Sequence, residues 1–188
     1  EARGGAVSAA LPPVAAASVT PTAHRLYLLD SIGAAQAVSG VMSPGLTVSA
    51  AVDAHGSLHV WGKLVSPWNN ADDFEQEPIY ECSRPIILQT ARIGRVSVGV
   101  RHIVALTDTG EVLSFGYGYE GRLGHGDEED QREPKVIEAL RGTRVVAIAA
   151  GCHSMVLTDE GEVLAFGDGH NGQLGHGDEE DQHVPKVI

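Results

Sequence analysis

Short apolar runs alternate with glycine-bearing turns along most of this chain, and their spacing is that of β-strands. In residues 144–151 ("RVVAIAAG") and 154–159 ("SMVLTD") the apolar residues are short and often β-branched. "DEG" at 159–161 sets a glycine where φ can turn positive, and "EVLAFG" at 162–167 alternates apolar side chains. "PKVI" at 185–188 adds a fourth short strand after a glycine-rich loop. The predicted unit is a four-stranded antiparallel β-meander. The first 23 residues, "EARGGAVSAALPPVAAASVTPTA", hold almost no large apolar side chain, so ordering them would cost entropy that burial cannot offset. Residues 1–25 are expected to be a disordered Ala/Ser/Pro-rich tail.

The unit is copied. Sliding the sequence by 51 residues lays Gly116 on Gly167, Gly121 on Gly172, Gly126 on Gly177 and Pro134 on Pro185. Roughly three quarters of positions 106–137 match their partners in 157–188. The eight residues "GHGDEEDQ" occur identically at Gly124 and Gly175 because they travel with the unit. A period near 50 residues is the mark of a propeller or another repeat array. A diverged third copy lies upstream: "VDAHGSLHVWG" at 52–62 matches "LTDTGEVLSFG" at 106–116, with Trp61 where Phe115 and Phe166 stand. After Gly62 an inserted loop, "SPWNNADDFEQEPIYEC", separates this copy from "RPIIL", where the pattern resumes at Pro85. The chain starts at Glu1 and stops at Ile188, the counterpart of Ile137, so a processed or truncated chain is expected.

Charge narrows the range of partners. A net charge of -12 opposes a broad footprint on nucleic acid or an anionic membrane, both of which reward clustered Lys and Arg; a basic protein surface is the better match. No apolar run reaches the roughly 20 residues a bilayer-spanning helix needs. Cys82 and Cys152 are the two cysteines, without CxxC or Cys/His zinc spacing, which points to a reducing compartment, cytoplasm or nucleus. The Ser-rich, Arg3-bearing start keeps a targeting remnant, and with it a mitochondrion or other organelle, as the alternative.

Candidate chemistry follows the repeat. The glycines of "GHNGQLGHG", with Gly116, Gly121, Gly167 and Gly172 among the repeated set, suit tight loops, positive φ and close backbone approach. No Gly-Lys-Ser/Thr follows them, so a phosphate-cradling loop is not expected. His102 and His153 each precede an apolar strand, once per unit, and are read as structural. Asp127, Glu128, Glu129 and Asp130, with their copies Asp178, Glu179, Glu180 and Asp181, run consecutively beside His125 and His176. Calcium loops alternate their ligands instead. These acids are read as a solvated loop that meets a Lys/Arg-rich protein surface. Trp61, Trp68, Phe115, Phe166, Tyr117 and Tyr119 are assigned to blade core and faces. No nucleophile-base or paired-carboxylate constellation is readable, and neither an enzymatic activity nor a cofactor or metal is expected.

The stretch "AAGCHSMVLTDEGEVLAFGDGHNGQLGHGD" at 149–178, and "VGVRHIVALTDTGEVLSFGYGYEGRLGHGD" at 98–127, resemble the regulator of chromosome condensation (RCC1) repeat. The resemblance is strong over 96–188, where the second repeat is truncated, and weak over 26–95, a diverged repeat with an inserted loop and no histidine at the position of His102. It implies an all-β partial propeller of about three four-stranded blades, the last incomplete, taken from a seven-bladed ring. Such a segment implies a longer protein or a subunit of a larger complex. By function the resemblance implies a non-enzymatic interaction or scaffolding module. Its alternatives are guanine-nucleotide exchange on a small GTPase and an accessory substrate-binding domain of a ubiquitin ligase. Family photoreceptors use clustered Trp, and here Phe115 and Phe166 occupy those positions.

Overall fold

The computed structural model of the protein describes residues 35–43, 46–64, 80–88 and 91–188. The expected tail at 1–25, Trp68 and most of the inserted loop lie outside them. Three antiparallel four-stranded sheets follow one another, each a meander in chain order. The first holds β1 (Ala35–Ser43), β2 (Leu46–Asp53), β3 (Leu58–Leu64) and β4 (Tyr80–Leu88). The second holds β5 (Ile93–Val98), β6 (His102–Thr107), β7 (Val112–Gly116) and β8 (Gln131–Val136). The third holds β9 (Val145–Ala150), β10 (His153–Thr158), β11 (Val163–Gly167) and β12 (Gln182–Val187). The 51-residue register of the sequence is the register of the ladders: Ile103 opposite Phe115 becomes Ser154 opposite Phe166, and Leu106 opposite Val112 becomes Leu157 opposite Val163.

The inner turns explain the repeated "TDxG". In the second sheet the Gly110 amide donates to the Thr107 carbonyl at 3.1 Å, and the Glu111 amide donates to Thr107 Oγ1 at 2.9 Å. Gly110 adopts φ 93°, which a side chain would resist. Thr158, Gly161 and Glu162 repeat the arrangement, and in the first sheet Asp53 Oδ1 takes the part of the threonine hydroxyl by accepting from the Ser57 amide at 2.9 Å. The turns of the first and second sheets are also joined to the next sheet. The Ile93 amide donates to the Gly56 carbonyl at 2.9 Å, and the Val145 amide to the Gly110 carbonyl at 3.1 Å.

Because side chains alternate across a strand, each central sheet has two apolar faces, and the core consists of the layers between sheets. Val48, Ala50, Val52, Leu58 and Val60 of the first sheet pack with Val96, Ile103, Ala105, Leu113 and Phe115 of the second. Val104, Leu106 and Val112, on the opposite face of the second sheet, pack with Val145, Val156 and Phe166 of the third. The outer face of the third sheet repeats that apolar surface without a described neighbour. Val112 is 1% exposed and its copy Val163 39%; Ile137 is 0% exposed and its copy Ile188 55%.

Candidate functional site

The glycine-rich loop that joins β7 to β8 leans onto the third sheet. Gly121 lies so close to β12 that a Cβ there would stand 2.5 Å from the His183 Cα, and its φ is 73°. The Gly126 amide then donates to the His183 carbonyl at 2.9 Å. Gly172, the copy of Gly121, donates its amide to the Gly169 carbonyl at 2.8 Å. Gly116 and Gly167 end β7 and β11 at positive φ, opposite His102 and His153 respectively.

The acidic stretches divide by role. Asp130 Oδ1 accepts the Gly118 amide at 2.9 Å, and its copy Asp181 accepts the Gly169 amide at 2.7 Å. Asp127 and Asp178 each accept the amide two residues on, Glu129 at 3.1 Å and Glu180 at 3.2 Å. The first and last acids therefore shape each loop, while Glu128, Glu129, Glu179 and Glu180 lie exposed between them. Glu128 Oε1 sits 3.2 Å from His183 Nε2, an ion pair between the second loop and the third sheet when that histidine is protonated.

His102 opens β6 and is fully buried. Its Nε2 lies 2.7 Å from Ser154 Oγ on the third sheet, and the Ser154 hydroxyl donates onward to the Arg122 carbonyl at 2.9 Å. With the serine proton so committed, His102 must donate from Nε2, which leaves Nδ1 unprotonated and without a hydrogen-bond partner. Burial, reinforced by the nearby Arg122 charge, pushes this imidazole down to about 3. At the junction of the first and second sheets the corresponding positions are Val48 and Ile103, both in one apolar cluster. His153 stands half-buried at the same place on the third sheet.

A second constellation was missed in the sequence. Eight positions differ between 106–137 and 157–188, and four of them fall in the glycine loop: Tyr117 against Asp168, Tyr119 against His170, Glu120 against Asn171 and Arg122 against Gln173. The fold brings most of these into one cluster, in which Tyr117 and Arg122 are buried. Tyr117 and Tyr119 stack with centroids 5.9 Å apart, and the Arg101 and Arg122 guanidinium groups lie 5.7 and 5.3 Å from the Tyr117 ring centre. Burial pushes the Tyr117 hydroxyl up to about 12. Arg122 binds Glu120 through Oε2. His170 Nδ1 sits 3.2 Å from Asp168 Oδ1 and 3.1 Å from Asp181 Oδ1. The Asp168 bond and the Asp181 charge raise this imidazole, while burial together with Asp168 and Asp181 raises Glu120 against the opposing pull of Arg122. The signal available beforehand was the clustering of unlike positions inside otherwise copied loops.

The family model described as Regulator of chromosome condensation (RCC1) repeat matches residues 109–157 and 160–188, and a second model of the same description matches 95–122 and 145–173. The E3 ubiquitin-protein ligase HERC2 of Homo sapiens is 39% identical over 140 residues, which is 70% of this chain and 3% of the relative's length. The structure of human WBSCR16 superposes with a TM-score of 0.67 at 24% identity, covering 85% of this chain and 40% of that one. Prp20p from Saccharomyces cerevisiae, whose structure is described with its binding to Gsp1p and histones, gives a TM-score of 0.61 at 22% identity, over 75% of this chain and 34% of its own.

Proposed function

Since the chain belongs to the regulator of chromosome condensation (RCC1) repeat family, a propeller interaction module, we propose that it presents its acidic loops to a Lys/Arg-rich protein surface within a larger regulatory or scaffolding protein. One observation carries this reading. Two copies of the same loop are each braced by their terminal aspartates, Asp130 on Gly118 and Asp181 on Gly169, so that Glu129, Glu179 and Glu180 project outward from ordered backbone. Preorganised charges steer and align a basic partner at little ordering cost. Support for a larger assembly comes from the outer face of the third sheet, whose exposed Val163 and Ile188 match residues that are buried one unit earlier. The chain also spans only 40% of the WBSCR16 propeller chain.

Histones are a basic partner named with Prp20p, and they supply a practical probe. Triple reversal of Glu129, Glu179 and Glu180 to Lys should weaken binding to a core-histone mixture by about tenfold or more at low salt and flatten its salt dependence. Equal affinity of parent and variant at low salt overturns the reading. Identity with HERC2 favours a second, narrower form of the same proposal, an accessory substrate-binding domain of a ubiquitin ligase. The exchange-factor alternative draws on Prp20p with Gsp1p, a likeness that carries the fold alone. The proposed setting is intracellular, cytoplasm or nucleus; among the described residues no helix is long and apolar enough to cross a membrane.

A further inference from the structure

We propose that Glu120, Asp168 and His170, with Asp181 beside them, form a binding site for a divalent transition-metal ion of the zinc class, which joins the glycine loop of the second sheet to that of the third. The ligand atoms of Glu120, Asp168 and His170 already lie within 4.8 Å of one another. An ion bonded at about 2.1 Å to each of four tetrahedral ligands holds them about 3.4 Å apart. The spacings of 3.2 and 3.1 Å from His170 Nδ1 to Asp168 and Asp181 are close to that edge, so small rotations of side chains complete the geometry. Glu120 meets Arg122 through Oε2, which leaves Oε1 to ligate.

Charge points to the same class of ion. Three carboxylates and the Arg122 guanidinium sum to minus two around a neutral His170, the charge a divalent cation cancels. A nitrogen donor among carboxylates favours zinc and its neighbours over calcium or magnesium, which take oxygen ligands. His170 is the exposed member, with its side chain 63% accessible, so an ion can enter and water can fill a remaining position. Glu120, Asp168 and His170 come from the loops of two sheets and belong to the positions where the copied loops differ: Tyr117, Tyr119 and Asn171 stand where a fully copied site would need Asp, His and Glu. Among the described residues the site is therefore single, at this junction.

The experiment is a zinc titration of the purified, chelator-treated chain by calorimetry, with thermal melting read alongside. One equivalent of zinc should bind and raise the melting temperature. His170→Ala, at an exposed position, and Asp168→Asn, which keeps a side-chain oxygen for the His170 amide, should each weaken zinc binding by about tenfold or more while melting like the parent without metal. Glu120→Gln, which keeps a side-chain oxygen toward Arg122, should weaken it too and thereby report the second-sheet ligand. His55→Ala, an exposed histidine on the first sheet, should change nothing. Zinc affinity unchanged in His170→Ala, or lost equally in His55→Ala, overturns the proposal. So does the absence of binding at millimolar zinc, or a calcium shift as large as that of zinc.

Discussion

His102 makes stability at the junction of the second and third sheets depend on pH in a way that one substitution can isolate. In the folded chain the ring is buried, donates to Ser154 and is held down to about 3; in the unfolded chain it titrates at 6.5. Between these values the unfolded state binds the extra proton. The contribution is therefore fully present above pH 6.5 and declines as pH falls toward the folded value. At pH 5 the unfolded ring is protonated to the extent of 1.5 pH units, which is about 2 kcal/mol. His102→Gln retains an amide donor at similar reach but cannot titrate; it should cost about 1–3 kcal/mol at pH 7 through altered packing. Urea unfolding of parent and variant at pH 7 and pH 5 yields a difference of differences in which every other titrating group cancels. The parent should lose about 2 kcal/mol more than the variant over that interval. Equal losses, within about 0.5 kcal/mol, would refute the assignment of a neutral, buried, donating imidazole.

Three further outcomes are expected. Phe166→Ala should lower stability by about 3–5 kcal/mol in chemical denaturation, because Phe166 is fully buried between the second and third sheets. Asp130→Ala, which removes the acceptor of the Gly118 amide, should cost about 1 kcal/mol, whereas Glu129→Ala next to it should leave the melting temperature unchanged. Gly121→Ala should destabilise by at least about 1 kcal/mol and raise hydrogen exchange at the Gly126 amide, since the new methyl would overlap the β12 backbone in a left-handed conformation.

Most of the fold was legible because a repeat is read by comparison with itself. The strands and the turn glycines follow from the 51-residue copy, and the ladders keep its period, Leu106 opposite Val112 recurring as Leu157 opposite Val163. Partners across sheets were not legible. His102 meets Ser154 across 52 residues of chain, and nothing local to either residue encodes that distance. The acidic stretch was found, but not its division. Asp130 accepts the Gly118 amide and its neighbour Glu129 does not, because the loop doubles back on Gly118, a feature of backbone path rather than composition. The Glu120, Asp168 and His170 group escaped because attention to matching positions passes over the mismatches that carry it.

The two described junctions are not interchangeable. Val48 and Ile103 belong to one apolar cluster at the first, and His102 and Ser154 meet at the second as a polar pair. A second sheet docked on the wrong neighbour would set His102 against an aliphatic side chain and strand its buried donor. Tandem repeats with near-identical sequences are prone to mispairing as they fold. The difference in junction chemistry is then an address label that lets the second sheet tell its two neighbours apart.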